Sequence, residues 1–237
     1  MTGQTSPAKH DVDVLLVGQT GVGKSTLINM ICGFEEGSEG SAKVTNDVRP
    51  CTEVATSYIT PLSREGKNLR YRLWDTRGLN EASDDPSIMT KAINFFCALF
   101  GVVSACERDL RAVCDEHTGR DGEKAAPLLI WCIHISKVGV PVHWEQFRKV
   151  YVDYCREKVR PVVVVTNVTP GRPSAKSQSQ TELGWEERCR KQLQQLGIGF
   201  GNVPLQGVRK YRDTSTPEYK ADCQAVRDFI VSHHSSN

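Results

Sequence analysis

The chain has 237 residues, 39% of them hydrophobic and 24% charged. That suits one generous α/β domain and excludes disordered, collagen-like and fibrous architectures. Thirty basic residues stand against twenty-eight acidic ones, a net charge of +2. Such a balance gives no basic stripe for nucleic acid and none for an acidic membrane. The nine cysteines are odd in number and form no C-x-x-C pair. They point to reduced thiols in a cytoplasmic protein, with no disulfide framework and no zinc site.

Residues 1–10 read as a flexible N-terminal segment without the apolar core of a signal peptide, and residues 11–237 as a single domain. Residues 12–17 (VDVLLV) predict a buried strand and residues 25–32 a helix closed by Gly33. A Gly/Ser/Glu-rich segment follows to position 41. Residues 54–60 and 69–74 flank turn material at 63–67 and predict a hairpin. Residues 88–112 read as helical. They include the longest uncharged run, 92–106, whose 15 residues are short for a membrane span and suit a buried helix, with a partner or membrane-surface contact as the alternative.

Strands are expected at 128–135 and 162–165, with a weaker one near 202–208. Three apolar stripes at helical spacing predict core-facing helices: Trp144/Phe147/Tyr151/Tyr154, Trp185/Cys189/Leu193/Leu196 and Tyr219/Cys223/Val226/Ile230. Thr216 and Pro217 mark the start of the last one. Residues 115–126 and 171–184 read as polar loops. Continuous apolar strands alternating with helices imply a mainly parallel sheet covered on both faces.

The strongest motif is Gly18-Gln19-Thr20-Gly21-Val22-Gly23-Lys24-Ser25, which fits G-x-x-x-x-G-K-[ST] between a strand and a helix. Glycines let backbone N–H groups turn inward around an anion, and the helix amino end adds positive charge there. Lys24 supplies a flexible cation for the β- and γ-phosphates. Ser25 supplies a hydroxyl for Mg²⁺, and Thr26 follows it in the nucleotide-binding set. A second motif, Asp75-Thr76-Arg77-Gly78, follows the strand ending at Trp74. Asp75 is placed to hold Mg²⁺ through water, and the Gly78 N–H to meet the γ-phosphate.

GQTGVGKST after an apolar strand, then a long polar loop, a hairpin and WDTRG, resembles the translation-factor-related (TRAFAC) class of P-loop GTPases. Within it the chain is most similar to septin-like and 50S-ribosome-binding-type GTPase domains. The resemblance implies a G domain: an α/β fold with a mainly parallel central sheet of about six strands, one antiparallel, and helices on both faces. It also implies GTP and GDP as nucleotides, Mg²⁺ as cofactor, and a first-switch threonine that closes over the metal. Thr52, just before the second strand, is favoured for that threonine over Thr45. The implied catalytic set is then Lys24, Thr52 and Gly78, and the metal set Ser25, Thr52 and Asp75.

Two positions depart from the family. Where [NT]-K-x-D is expected, the chain has Thr166-Asn167-Val168-Thr169. Thr166 and Asn167 are kept as base-side contacts, but the guanine-binding carboxylate is missing. Guanine selectivity is then either weakened or supplied by backbone near 202–210. Leu79 follows Gly78 where a water-orienting Gln would stand, so slow hydrolysis is expected. Arg77 is read as a solvated cation, and His134 and His143 as structural.

The leading expectation is an Mg²⁺-dependent GTPase switch, with a protein effector or self-association through the switch regions and no membrane or nucleic-acid partner. The alternatives are a nucleotide-binding interaction module with little hydrolysis, and a P-loop ATPase with relaxed base specificity.

Overall fold

The computed structural model describes residues 11–35, 37–44, 56–64, 67–76, 126–168, 184–197, 199–211 and 213–234. The VDVLLV run becomes β1 (Asp11–Gly18), the third strand of a six-stranded sheet. The others are β2 (Thr56–Arg64), β3 (Lys67–Asp75), β4 (Leu128–His134), β5 (Arg160–Val168) and β6 (Leu205–Arg209). Their order is β2-β3-β1-β4-β5-β6. Only the β2–β3 pair is antiparallel; all other neighbours run parallel. The described helices are α1 (Lys24–Cys32), α2 (Pro141–Lys149), α3 (Trp185–Gln195) and α4 (Pro217–His234).

Period-two alternation divides each strand between two cores. Val12, Val14 and Leu16 face one layer with Ile28 of α1 and Val226 and Ile230 of α4. Leu15 and Val17 face the other with Trp144 and Phe147 of α2 and Cys189 and Leu193 of α3. Both faces are dry, so β4 and β5 carry unbroken apolar runs where a half-exposed strand would alternate. Each buried valine or leucine contributes about 1.5–3 kcal/mol, and these strands supply many of them.

Helix α1 stops where the sequence predicts. Gly33 is left-handed (φ 74°) and its N–H reaches Asn29 O at 2.8 Å. Arg227 of α4 completes the cap by donating to Ile31 O at 2.8 Å and Met30 O at 3.2 Å. A side chain at Gly33 would strike that guanidinium. Thr216 caps α4 as expected, its hydroxyl accepting from Tyr219 N at 3.2 Å.

Three boundaries differ from expectation. Ser63, Arg64 and Lys67 are ladder residues, because the β2–β3 register continues to Arg64↔Lys67. The weak sixth strand begins at Leu205, three residues later than its predicted start. The first stripe, Trp144/Phe147/Tyr151/Tyr154, does not stay on one regular helix. After Lys149 the chain widens into a π-helical turn, Val150–Tyr154, closed by Cys155 N to Val150 O at 2.9 Å. This turn buries Val150 and Tyr154 and leaves Tyr151 half-buried.

Burial pushes the thiols of Cys132 and Cys189 up to about 12 and that of Cys32 to about 11. These three are neutral apolar fillers, as the cysteine pattern suggests. No described helix is long and apolar enough to cross a membrane. The segments 1–10, 88–112 and the uncharged run 92–106 lie outside the described residues.

His234 ends α4 in a buried position, its ring edge-on to Tyr71 with centroids 5.7 Å apart. Burial first, and the nearby Arg160 charge second, lower its pKa. The folded ring is therefore neutral where the unfolded one, near 6.5, begins to protonate. Its contribution to stability is complete above about pH 6.5 and is lost as pH falls through the lower folded value. Calorimetry should give a higher Tm at pH 7.5 than at pH 5.5, and His234→Phe should narrow that gap.

Candidate functional site

The chain leaves the sheet at Gly18, where a Cβ would run into the Cys132 carbonyl oxygen of β4. Only glycine permits that approach. Gly21 (φ 75°) and Gly23 (φ 92°) are left-handed, a backbone state that costs other residues. Gly23 is the N-cap of α1, and its carbonyl receives Leu27 N at 2.9 Å. A turn of this kind at a helix amino end forms a concave anion site. Lys24 is buried and folds back across the loop, Nζ donating to Gly18 O at 3.3 Å and Gln19 O at 3.2 Å. Gln19 also reaches α2, where its Nε2 donates to Gln146 Oε1 at 3.4 Å. Thr20 is half-buried, Val22 is buried, and Thr26 is exposed on the helix.

A second wall comes from the end of β3. Parallel pairing sets Asp75 beside Leu16. Asp75 is 2% exposed, and its Oδ2 accepts from Ser25 Oγ at 2.9 Å across 50 residues of sequence. A hydroxyl and a carboxylate oxygen are hard donors of the kind Mg²⁺ takes, alongside water and phosphate. No group of three or more His, Cys, Asp or Glu able to cage a metal occurs among the described residues. Thr76 fixes this strand end by donating its hydroxyl to Leu16 O at 2.7 Å. Thr45, Thr52, Arg77, Gly78 and Leu79 lie outside the described residues.

The third wall is the end of β5. Thr166 is buried and donates to Val22 O at 2.7 Å, with a longer contact to Ile133 O at 3.5 Å. Asn167 follows with φ 60°, at a register shift where Thr166 pairs with Val208 and Val168 with Arg209. Its amide lies 2.6 Å from His134 Nε2. His134, read from the sequence as structural, thus stands against Asn167 at the ends of β4 and β5. The only sequence signal was its place at the end of an apolar strand. Thr169 lies outside the described residues.

A mainly parallel sheet with one antiparallel pair, a glycine-shaped loop between β1 and α1, and an acid at the neighbouring strand end defines a P-loop GTPase-type G domain. The family model for the 50S ribosome-binding GTPase matches residues 13–168, and the chain belongs to that family. Among solved structures, it is similar to Methanosarcina barkeri Roco2 RocCORdC bound to GDP. The likeness has 14% identity and a TM-score of 0.46, covering 99% of this chain and 53% of that one. The chain therefore spans about half the length of that structure. No curated protein matches the sequence.

The hydroxyl of Thr166 satisfies a buried loop carbonyl, so Thr166→Val strands Val22 O. Leaving a buried acceptor unpaired costs about 1–3 kcal/mol. Denaturant unfolding should show a loss of that size, and Thr166→Ser should recover most of it.

Proposed function

We propose that the chain is an Mg²⁺-dependent GTP-binding protein that hydrolyses GTP slowly and serves as a nucleotide-controlled switch. Residues 11–237 would act as one G domain in the cytoplasm. The observation that carries this reading is the meeting of Ser25 with Asp75 at 2.9 Å beside the glycine loop. Two motifs distant in sequence converge on one point, as a phosphate-and-metal site requires. Membership of a GTPase family supports guanine nucleotide as the ligand. The placement in the TRAFAC class, and its septin-like aspect, belongs to this proposal as well.

Lys24 would neutralise the β- and γ-phosphates, and loop N–H groups would hold their oxygens. Ser25, Asp75 and Thr52 would hold Mg²⁺, which when bound neutralises charge on the transferring group. The Gly78 N–H would meet the γ-phosphate, ordering the segments around Thr52 and Leu79 in the triphosphate state. Thr166 and Asn167 would stand on the base side. Effector binding or self-association through these switch segments completes the reading. The apolar Leu79 also favours a second one, an interaction module that holds nucleotide with little turnover.

Lys24→Ala should abolish binding of labelled GTP while the nucleotide-free chain still folds and melts cooperatively, its Tm lowered by loss of the bonds to Gly18 O and Gln19 O. Ser25→Ala should weaken binding more in Mg²⁺ than in EDTA. Equal titration curves for wild type and Lys24→Ala would remove the phosphate-loop assignment.

Single-turnover hydrolysis by the isolated chain should be slow, on the order of 10⁻⁴ s⁻¹ as for intrinsic Ras-type turnover. Leu79→Gln alone should change it little, because a Gln helps only when correctly aimed. Fast turnover independent of protein concentration would reveal a complete catalytic set within the chain.

A further inference from the structure

Thr56 belongs to none of the nucleotide motifs, yet the sheet carries it to the metal side of the site. It is the first residue of β2 and stands directly opposite Asp75, the last of β3. Residues directly opposite in an antiparallel pair share a face, with Cβ atoms about 4.5–5.5 Å apart. Burial along β2 identifies that face. Ser57, Ile59 and Pro61 are exposed, whereas Thr60 and Leu62 are buried and Tyr58 is half-buried. Leu62 and Tyr58 pack in the layer that holds Leu27 and Ile28 of α1. Thr56 has their parity. On β3, Tyr71 and Leu73 have the parity of Asp75 and lie in the same layer. Thr56 and Asp75 are therefore paired on the face that α1 covers, where Ser25 Oγ donates to Asp75 Oδ2 at 2.9 Å.

The charge of Asp75 is felt along this column of β2. Burial first, and the Asp75 carboxylate second, hold the Tyr58 phenol above its ordinary range. Thr56, directly across the ladder from Asp75, stands one pleat repeat nearer. Exposure rises across the three oxygen-bearing residues: Asp75 is buried, Ser25 half-buried and Thr56 exposed. The cluster thus opens to solvent at Thr56. A hydroxyl there offers one donor and two acceptor lone pairs, so it can serve water and carboxylate alike. Mg²⁺ held by few protein groups keeps several waters. Groups that hydrogen-bond to such waters and to the ligating carboxylate tune the cation's affinity.

We propose that Thr56 is a positioning residue of the Mg²⁺ site, its hydroxyl joining Ser25 and Asp75 to hold water of the cation's shell. The hairpin register thereby takes part in cation binding. A slip of one residue would turn Thr56 to the opposite face and withdraw its hydroxyl. The inference rests on the nucleotide-site reading above.

The test is a Mg²⁺ titration of labelled GDP binding to the full chain, with EDTA as the metal-free point. GDP has no γ-phosphate, so groups that meet only that phosphate do not enter the measurement. Losing an outer-shell partner weakens metal affinity by about 10- to 100-fold, so Thr56→Val should raise the Mg²⁺ midpoint at least about tenfold. Valine keeps the β-branched shape at an exposed strand position, so the fold is kept and GDP affinity in EDTA should match wild type. Thr56→Ser restores the hydroxyl and should return the midpoint to within about threefold of wild type. Ser57→Ala removes a hydroxyl from the opposite face and should leave the titration unchanged. A smaller shift in Thr56→Val would overturn the proposal. So would an equal loss of affinity in EDTA, or a shift in Thr56→Ser or Ser57→Ala as large as that in Thr56→Val. Failure of the underlying site reading looks different: wild-type binding would ignore Mg²⁺, or Lys24→Ala would bind GDP unchanged.

Discussion

The phosphate loop depends on being tied down, because glycines in left-handed backbone give it no stiffness of their own. Thr166 supplies one tie, from the end of β5 to Val22 O at 2.7 Å. Gly18 supplies a second constraint by packing its bare Cα against the Cys132 carbonyl of β4. Lys24 adds a third by spanning Gly18 O and Gln19 O. Together they hold the loop in shape with one side chain of its own, that of Lys24. Preorganised donors are worth more than mobile ones because no reorganisation is needed when charge arrives. The ties from Thr166 to Val22 O and from Lys24 to Gly18 O are buried, so each is strong when made and costly when broken.

The sheet provides the frame for those ties. Its two apolar faces are closed by helices on either side, so the strands cannot slide without exposing a full row of side chains. Register then places Leu16 beside Asp75 and His134 beside Thr166. Those pairings carry the site residues to one end of the sheet. Arg227 performs the corresponding task for α1 by joining its carboxyl end to α4. The helix whose amino end faces the loop is therefore fixed at its far end too.

Much of this was legible in the sequence, for local reasons. G-x-x-x-x-G-K-[ST] is a contiguous motif, and the strands around it announce themselves by unbroken β-branched runs. Gly33, Thr216 and Pro217 signal helix ends through chemistry within a few residues. The π-helical turn at Val150–Tyr154 was not legible, because spacing of aromatics fits both a regular helix and a locally widened one. The hairpin ran longer than expected because Ser63, Arg64 and Lys67 favour turns in isolation but are held by cross-strand pairing. His134 and the Asn167 bulge were hidden for a third reason. Their relation spans 33 residues and exists only once β4 and β5 lie side by side.

The two ends of the site consequently work by different physics. A triphosphate chain looks the same under every base, so the glycine loop, Lys24 and the Ser25–Asp75 pair cannot discriminate between purines. On the proposed reading, discrimination would come from the strand ends, where groups differ in being donors or acceptors. The family solves this with a lysine and an aspartate; here those positions hold Asn167 and Thr169. A lone amide is ambiguous, since it can turn either edge to a base. In the structure the Asn167 amide is held by His134 Nε2 at 2.6 Å, which limits that freedom.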